Sequence, residues 1–160
     1  MEKFELRTIG VLRMYQGRYW AEIDEQYRLG LDGLEGFSHI NVLFWCHLLD
    51  SPEQRALCTC KKPYQKAPKS LGVFATRSPA RPNPIALTVC EITGIDEKSG
   101  RIELAFIDAE DRSPIVDIKP YHPAIDRVRE ANVPGWCSHW PDWYEDSAVF
   151  DWNAEFVNTQ

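Results

Sequence analysis

The chain has 160 residues, of which 44 % are hydrophobic and 26 % charged, with a formal net charge of −6 at pH 7. No stretch approaches the about 18 consecutive apolar residues of a membrane-spanning helix, and a length of this order leaves no room for a second full-sized domain. The negative charge opposes nucleic-acid phosphates unless a local basic patch supplies the contacts.

The opening MEKFELRTIG has no signal-peptide pattern, so a soluble cytoplasmic protein is expected. Five cysteines, an odd number in such a protein, point to reduced thiols rather than a disulfide framework. Phe4 to Val11 alternates as a strand, and Arg18 to Ile23 and Gln26 to Leu29 are candidate strands. His39 to His47 is rich in β-branched and aromatic residues. A short helix fits Ser51 to Leu57, with Ser51 as N-cap and Pro52 at the first helical position. Strands are expected at Leu71 to Thr76 and Ile85 to Ile95; the latter turns at Asp96-Glu97-Lys98-Ser99-Gly100 into Arg101 to Asp108. Strands at this density without helical crossovers predict an all-β, mainly antiparallel barrel or sandwich. The expected organisation is a β domain over residues 1–134 and an acidic, Trp-rich tail over 135–160, packed on that domain or on a second subunit.

Gly72 to Thr88 reads GVFATRSPARPNPIALT, an apolar strand running into a loop and returning to an apolar strand. Pro79, Pro82 and Pro84 stiffen this loop. Arg77 and Arg81 stand on it with Thr76, Ser78 and Asn83, groups able to bond a polar ligand or to brace a rigid connector. Lys61, Lys62, Lys66 and Lys69 precede it as a candidate basic patch or a solvated loop. No G-x-G-x-x-G or Walker loop is present, so a nucleotide-like cofactor would use loops rather than a Rossmann crevice. Asp117, Lys119 and Tyr121 alternate at period two and share one face of an extended segment. They form either a structural polar cluster or an acid–base group in which Lys119 stabilises ionised Asp117. Cys58, Cys60, Cys137 and His139 carry the donor types of a zinc site, but their one-residue spacings are tighter than the usual two to four, and no metal is expected.

Four segments together resemble the TsaA/TrmO-like family: IGVLR at Ile9 to Arg13, GLEGFSHINVLFW at Gly33 to Trp45, the proline loop, and DRSPIVDIKPY at Asp111 to Tyr121. Characterised members of that family are S-adenosylmethionine-dependent tRNA methyltransferases that modify the threonylcarbamoyl-adenosine next to the anticodon. The resemblance spans about Phe4 to Pro123. It implies a single-sheeted β-barrel with a few short helices, S-adenosylmethionine as donor held by loops at one end of the barrel, and a homodimer. Carried over residue by residue, the cofactor contacts fall on His47, Leu48, Thr76, Arg77, Asn83, Leu87 and the turn Asp111-Arg112-Ser113-Pro114. That turn has arginine where the family has glycine, a strained choice if the backbone needs positive φ. Near the N-terminus the family's Pro-Arg-Gln loop is missing: IGVLR is followed by Met14-Tyr15-Gln16-Gly17 before the next strand. Asp117, Lys119 and Tyr121 are assigned to the methyl-acceptor side. Two function classes follow. One is a methyltransferase acting on tRNA, or alternatively on a small molecule or protein; the other is a module that binds S-adenosylmethionine without the chemistry.

Overall fold

The computed structural model describes residues 4–158; the ends of the sequence reading, 1–3 and 159–160, lie outside them. Among the described residues the strands are β1 (Gly10–Tyr15), β2 (Arg18–Ile23), β3 (His39–Trp45), β4 (Thr59–Lys61), β5 (Ser70–Gly72), β6 (Ile85–Asp96), β7 (Arg101–Leu104) and β8 (Pro114–Pro120), with short helices α1 (Pro52–Arg55), α2 (Pro123–Asp126) and α3 (Trp152–Glu155). Six strands close a barrel in the order β1-β2-β7-β6-β3-β8, every pairing antiparallel. The single-sheeted antiparallel barrel that the resemblance implied is the fold, and the sandwich is not.

Alternation builds the barrel. Leu12, Ala21, Ile40, Val42, Phe44, Cys90, Ile102 and Ile115 point inward from their strands, none more than 2 % exposed. Each large apolar side chain removed from water in this way contributes about 1.5–3 kcal/mol. Gln16 (φ 50°) and Gly17 (φ 75°) close the β1–β2 hairpin between the paired residues Tyr15 and Arg18. Positive φ at both turn residues matches the right-handed twist of the strands. Gly10 has no alternative residue: a Cβ there would lie 2.2 Å from the Glu22 carbonyl oxygen.

Several segments depart from the sequence reading. The first strand is Gly10–Tyr15 rather than Phe4 to Val11, because the residues that pair with both β2 and β8 begin at Gly10. Gln26 to Leu29 is no strand but part of a 3-10 turn, Glu25–Leu31, opened by the Tyr27 N–H on the Asp24 carbonyl (2.8 Å). This turn and the next, Leu34–Gly36, deliver Leu31 and Leu34 into the barrel's apolar core. Burying two leucines outweighs the weak strand preference of the stretch. Leu71 to Thr76 divides into β5, paired with β4, and a 3-10 turn over Val73–Ala75. Strand β7 stops at Leu104, after a register shift opposite Ile92 and Gly94. The helix at Ser51 is α1, its N-terminus capped by Ser51 Oγ accepting from the Gln54 N–H (3.3 Å).

The chain forms two compact units. One holds the described residues up to Asp50 with Asn83–Arg127 and contains the barrel; the other joins Ser51–Pro82 to the described residues from Val128 onward. The tryptophan-rich tail therefore groups with 51–82, a stretch that the sequence reading gave to the barrel. Its rings gather on Tyr64, which stacks on Trp136 at 5.4 Å and meets Trp140 edge-on at 4.8 Å. Among the described residues no helix is long and apolar enough to cross a membrane.

Candidate functional site

Strand β3 ends at Trp45, and the Cys46 N–H donates to the Pro84 carbonyl (2.8 Å). This pins the turn that carries His47 and Leu48 against the start of β6, next to Asn83. Strand β8 runs antiparallel to β3, so its first residues arrive at the same end. There the buried Ser113 Oγ lies 3.3 Å from His47 Nδ1. His47, Leu48, Asn83 and the Asp111–Pro114 turn thus share one end of the barrel.

Strand β1 clasps that turn. The Leu12 N–H donates to the Ser113 carbonyl (2.9 Å) and the Arg112 N–H to the Leu12 carbonyl (2.8 Å). Asp111 Oδ1 accepts from the Met14 N–H (2.9 Å) and lies 3.4 Å from Arg13 Nε. Arg112 has φ 68°, so arginine does occupy a left-handed conformation that glycine adopts without strain. In place of the Pro-Arg-Gln loop that the resemblance implied, this chain closes β1 and β2 with the two-residue Gln16-Gly17 turn, and the edge beside it is the Arg13–Asp111 pair. Arg13 was legible only as part of IGVLR; its grip on Asp111 requires the closure of β1 on β8.

Asp117 and Leu87 both oppose Leu43, one on each side of β3. Phe44 is in the core, so Leu43, Leu87 and Asp117 lie on the outer face. Asp117 Oδ2 and Lys119 Nζ are 2.7 Å apart, and the hydrogen bond and charge of Asp117 hold the ammonium above its ordinary pKa. Tyr121 follows the strand, its N–H donating to the His39 carbonyl (2.9 Å) and its ring edge-on to His39 at 6.3 Å. At about 3.3 Å per residue, Asp117 stands roughly 13 Å along the strand from Ser113 and Tyr121 roughly 26 Å. The structure brings Asp117 and Lys119 together and sets Tyr121 far from His47.

Thr76 and Arg77 belong to the second unit. Thr76 is buried and turned to its own loop: its Oγ1 donates to the Val73 carbonyl (2.9 Å) and accepts from the Ser78 N–H (3.2 Å). Arg81 acts likewise, one terminal nitrogen donating to the carbonyls of Val73 (2.7 Å) and Thr76 (2.9 Å). Arg77 is exposed. Among the described residues no three His, Cys, Asp or Glu side chains converge as a metal site. His139 instead meets Glu155 at 3.0 Å, and Cys137 Sγ donates to the Pro134 carbonyl.

Comparison with known proteins gives a consistent answer. A "Probable S-adenosyl-L-methionine-binding protein" of Methanothermobacter thermautotrophicus is 38 % identical over 140 residues, covering 79 % of this chain and 96 % of its own. An S-adenosyl-L-methionine-binding protein of Archaeoglobus fulgidus is 38 % identical over 120 residues, covering 72 % and 81 %. A crystal structure of TrmO from Pseudomonas aeruginosa superposes with a TM-score of 0.62 at 30 % identity over 82 % of this chain. This chain spans 62 % of the length of that structure. Residues 12–127 match the family model of the tRNA-methyltransferase O N-terminal domain, and with well over half of its length inside that match, the chain belongs to this family.

Proposed function

We propose that the chain is an S-adenosylmethionine-dependent methyltransferase whose acceptor is the threonylcarbamoyl-adenosine next to the anticodon of tRNA, acting as a cytoplasmic homodimer. The observation that supports this most is the gathering of His47, Asn83 and the Asp111–Pro114 turn at one end of a barrel of this family. The residues there suit the donor. Exposed Leu48 and Leu87 offer apolar surface to a purine, and the imidazole and turn polar groups offer hydrogen bonds. Arg77 is assigned to the donor on its ATRS motif, as is Thr76, which holds that loop in shape.

S-adenosylmethionine supplies a methyl group on a sulfonium sulfur: the acceptor nitrogen forms the new N–C bond as the S–C bond breaks, leaving a neutral thioether. The nitrogen's proton must then leave. Asp117 is the proposed proton acceptor, with the ammonium of Lys119 stabilising its ionised form. Tyr121, further along the same face, is proposed to bond a more distant part of a large acceptor. Positioning of nitrogen behind methyl supplies much of the rate.

Calorimetry with S-adenosylmethionine is expected to show binding, and at about 100 times its dissociation constant a native-state ligand adds roughly 2.7 kcal/mol of stability. No heat and no thermal shift at millimolar donor would overturn the reading. Mass spectrometry of tRNA nucleosides from a strain lacking the protein should show loss of the methylated threonylcarbamoyl-adenosine. The net charge of −6 favours a second reading, with a small-molecule or protein acceptor. Donor binding with unchanged nucleosides would select it.

A further inference from the structure

A hydroxyl buried at the site end of the barrel has so narrow a choice of partner that it fixes the place of a proton. Ser113 is 1 % exposed, and its Oγ lies 3.3 Å from His47 Nδ1. Neither residue is loosely held. The Ser113 N–H donates to the Glu110 carbonyl (3.2 Å), and the Ser113 carbonyl accepts from the Leu12 N–H (2.9 Å). The turn that carries His47 is pinned through Cys46, whose N–H donates to the Pro84 carbonyl (2.8 Å) and whose carbonyl accepts from the Leu49 N–H (2.9 Å).

A serine hydroxyl has one hydrogen to donate, and a buried donor left unpaired forfeits the bonds it made to water. Among the described residues the Ser113 hydroxyl has no hydrogen-bond partner but His47 Nδ1. If Nδ1 carried the imidazole proton, it would donate to Oγ and leave the hydroxyl hydrogen without an acceptor. With Nδ1 bare, the hydroxyl donates to it and the proton of the neutral ring sits on Nε2. Nε2 itself has no hydrogen-bond partner among the described residues, and the ring is half-buried rather than closed off.

We propose that Ser113 is a positioning residue: its hydroxyl donates to His47 Nδ1, holds the proton of the neutral imidazole on Nε2, and so presents Nε2–H as a hydrogen-bond donor to S-adenosylmethionine. The part played by the methyl donor rests on the proposed function. The serine hydroxyl then acts through His47, since its burial leaves no surface for a ligand to touch. A nitrogen that already carries its proton cannot take one from the methyl acceptor, so the same arrangement makes His47 a binding group and leaves proton removal to another residue, as proposed for Asp117.

The test is nitrogen-15 spectroscopy of the whole chain labelled at its four histidines, at about pH 8 to observe neutral imidazole, with the His47 signals assigned by their loss in His47→Ala. Wild type is expected to show Nε2 protonated and Nδ1 bare, the Nδ1 signal displaced upfield by the hydroxyl; in Ser113→Ala that displacement should vanish. Adding S-adenosylmethionine should move the Nε2 signal. By calorimetry Ser113→Ala should weaken donor binding about three- to tenfold, a loss absent when residue 47 is already alanine, because the two act through one path. Circular dichroism checks that each variant is folded. A proton on Nδ1 in wild type, a result that needs no variant, would overturn the tie, as would an Nδ1 signal that Ser113→Ala leaves in place. Equal losses of affinity in both backgrounds would overturn the positioning role and mark Ser113 as structural. The expected Nε2–H pattern in a wild type that gives no heat with S-adenosylmethionine would support the tie and refute the donor reading of this end of the barrel.

Discussion

Replacing Arg112 by glycine should stabilise the barrel. Its φ of 68° cannot relax, because the Arg112 N–H is committed to the Leu12 carbonyl at 2.8 Å and the residues on either side are held by Met14, Leu12 and His47. A left-handed conformation costs an L-residue about 1–2 kcal/mol. Glycine removes that cost but adds unfolded-state freedom worth about 0.5–1 kcal/mol. The side chain is exposed, so little packing is lost. A net gain of about 0.5–1 kcal/mol follows, or about 1–4 °C in the melting temperature of a chain this size. Arg112→Ala is the control, since it removes the guanidinium but keeps the Cβ and hence the strain. Differential scanning calorimetry of the two variants and wild type decides the matter. If the glycine variant melts no higher than the alanine variant, the left-handed backbone at Arg112 carries no strain that glycine relieves.

Gly10→Ala places a Cβ 2.2 Å from a backbone oxygen and should cost several kcal/mol, on the order of the larger core defects; a urea midpoint close to wild type would show that β1 and β2 can part there without penalty. Gln16→Asn suits two consecutive positive-φ residues better than glutamine and should raise the midpoint slightly, whereas a fall would argue against the turn geometry. For Glu155, burial raises the pKa, but the hydrogen bond with His139 at 3.0 Å, the polar edge of Trp140 and the charges of His139 and Lys66 outweigh it, holding the carboxyl below its ordinary 4.5. A depressed carboxyl contributes stability above its unfolded value that is lost as pH falls through the folded one. Tryptophan emission of wild type should therefore move toward that of unfolded protein below about pH 4.5, and Glu155→Gln should flatten this acid dependence; an identical acid profile in the variant would assign the effect elsewhere. Burial pushes the Cys90 thiol up to about 12 while Cys58 is exposed, so iodoacetamide on native protein should label Cys58 and spare Cys90, as mapped by mass spectrometry, and equal labelling would mean that the barrel opens.

The sequence by itself placed the strand at Arg18–Ile23 and the β-branched and aromatic strand at His39–Trp45. It also determined the capped helix at Ser51, because strand preference and cap chemistry are local properties; that the turn holds Arg112 at positive φ was decided by the structure. Through the ATRS and VDIKPY motifs the sequence identified the family. Tertiary structure decided the rest. Glu25–Leu31 became a 3-10 turn because Leu31 had a barrel end to fill, a gain that no window of neighbouring residues contains. The grouping of the tail with Ser51–Pro82 depends on rings about 70 to 90 positions from Tyr64 in sequence, where chain order carries no signal of proximity. Likewise His47 meets Ser113 across 66 residues, while Tyr121, drawn from the same motif as Ser113, is carried to the other end of β8 by the 3.3 Å rise of each extended residue. Motif spacing fixes which residues are present; the closure of six antiparallel strands fixes which of them meet.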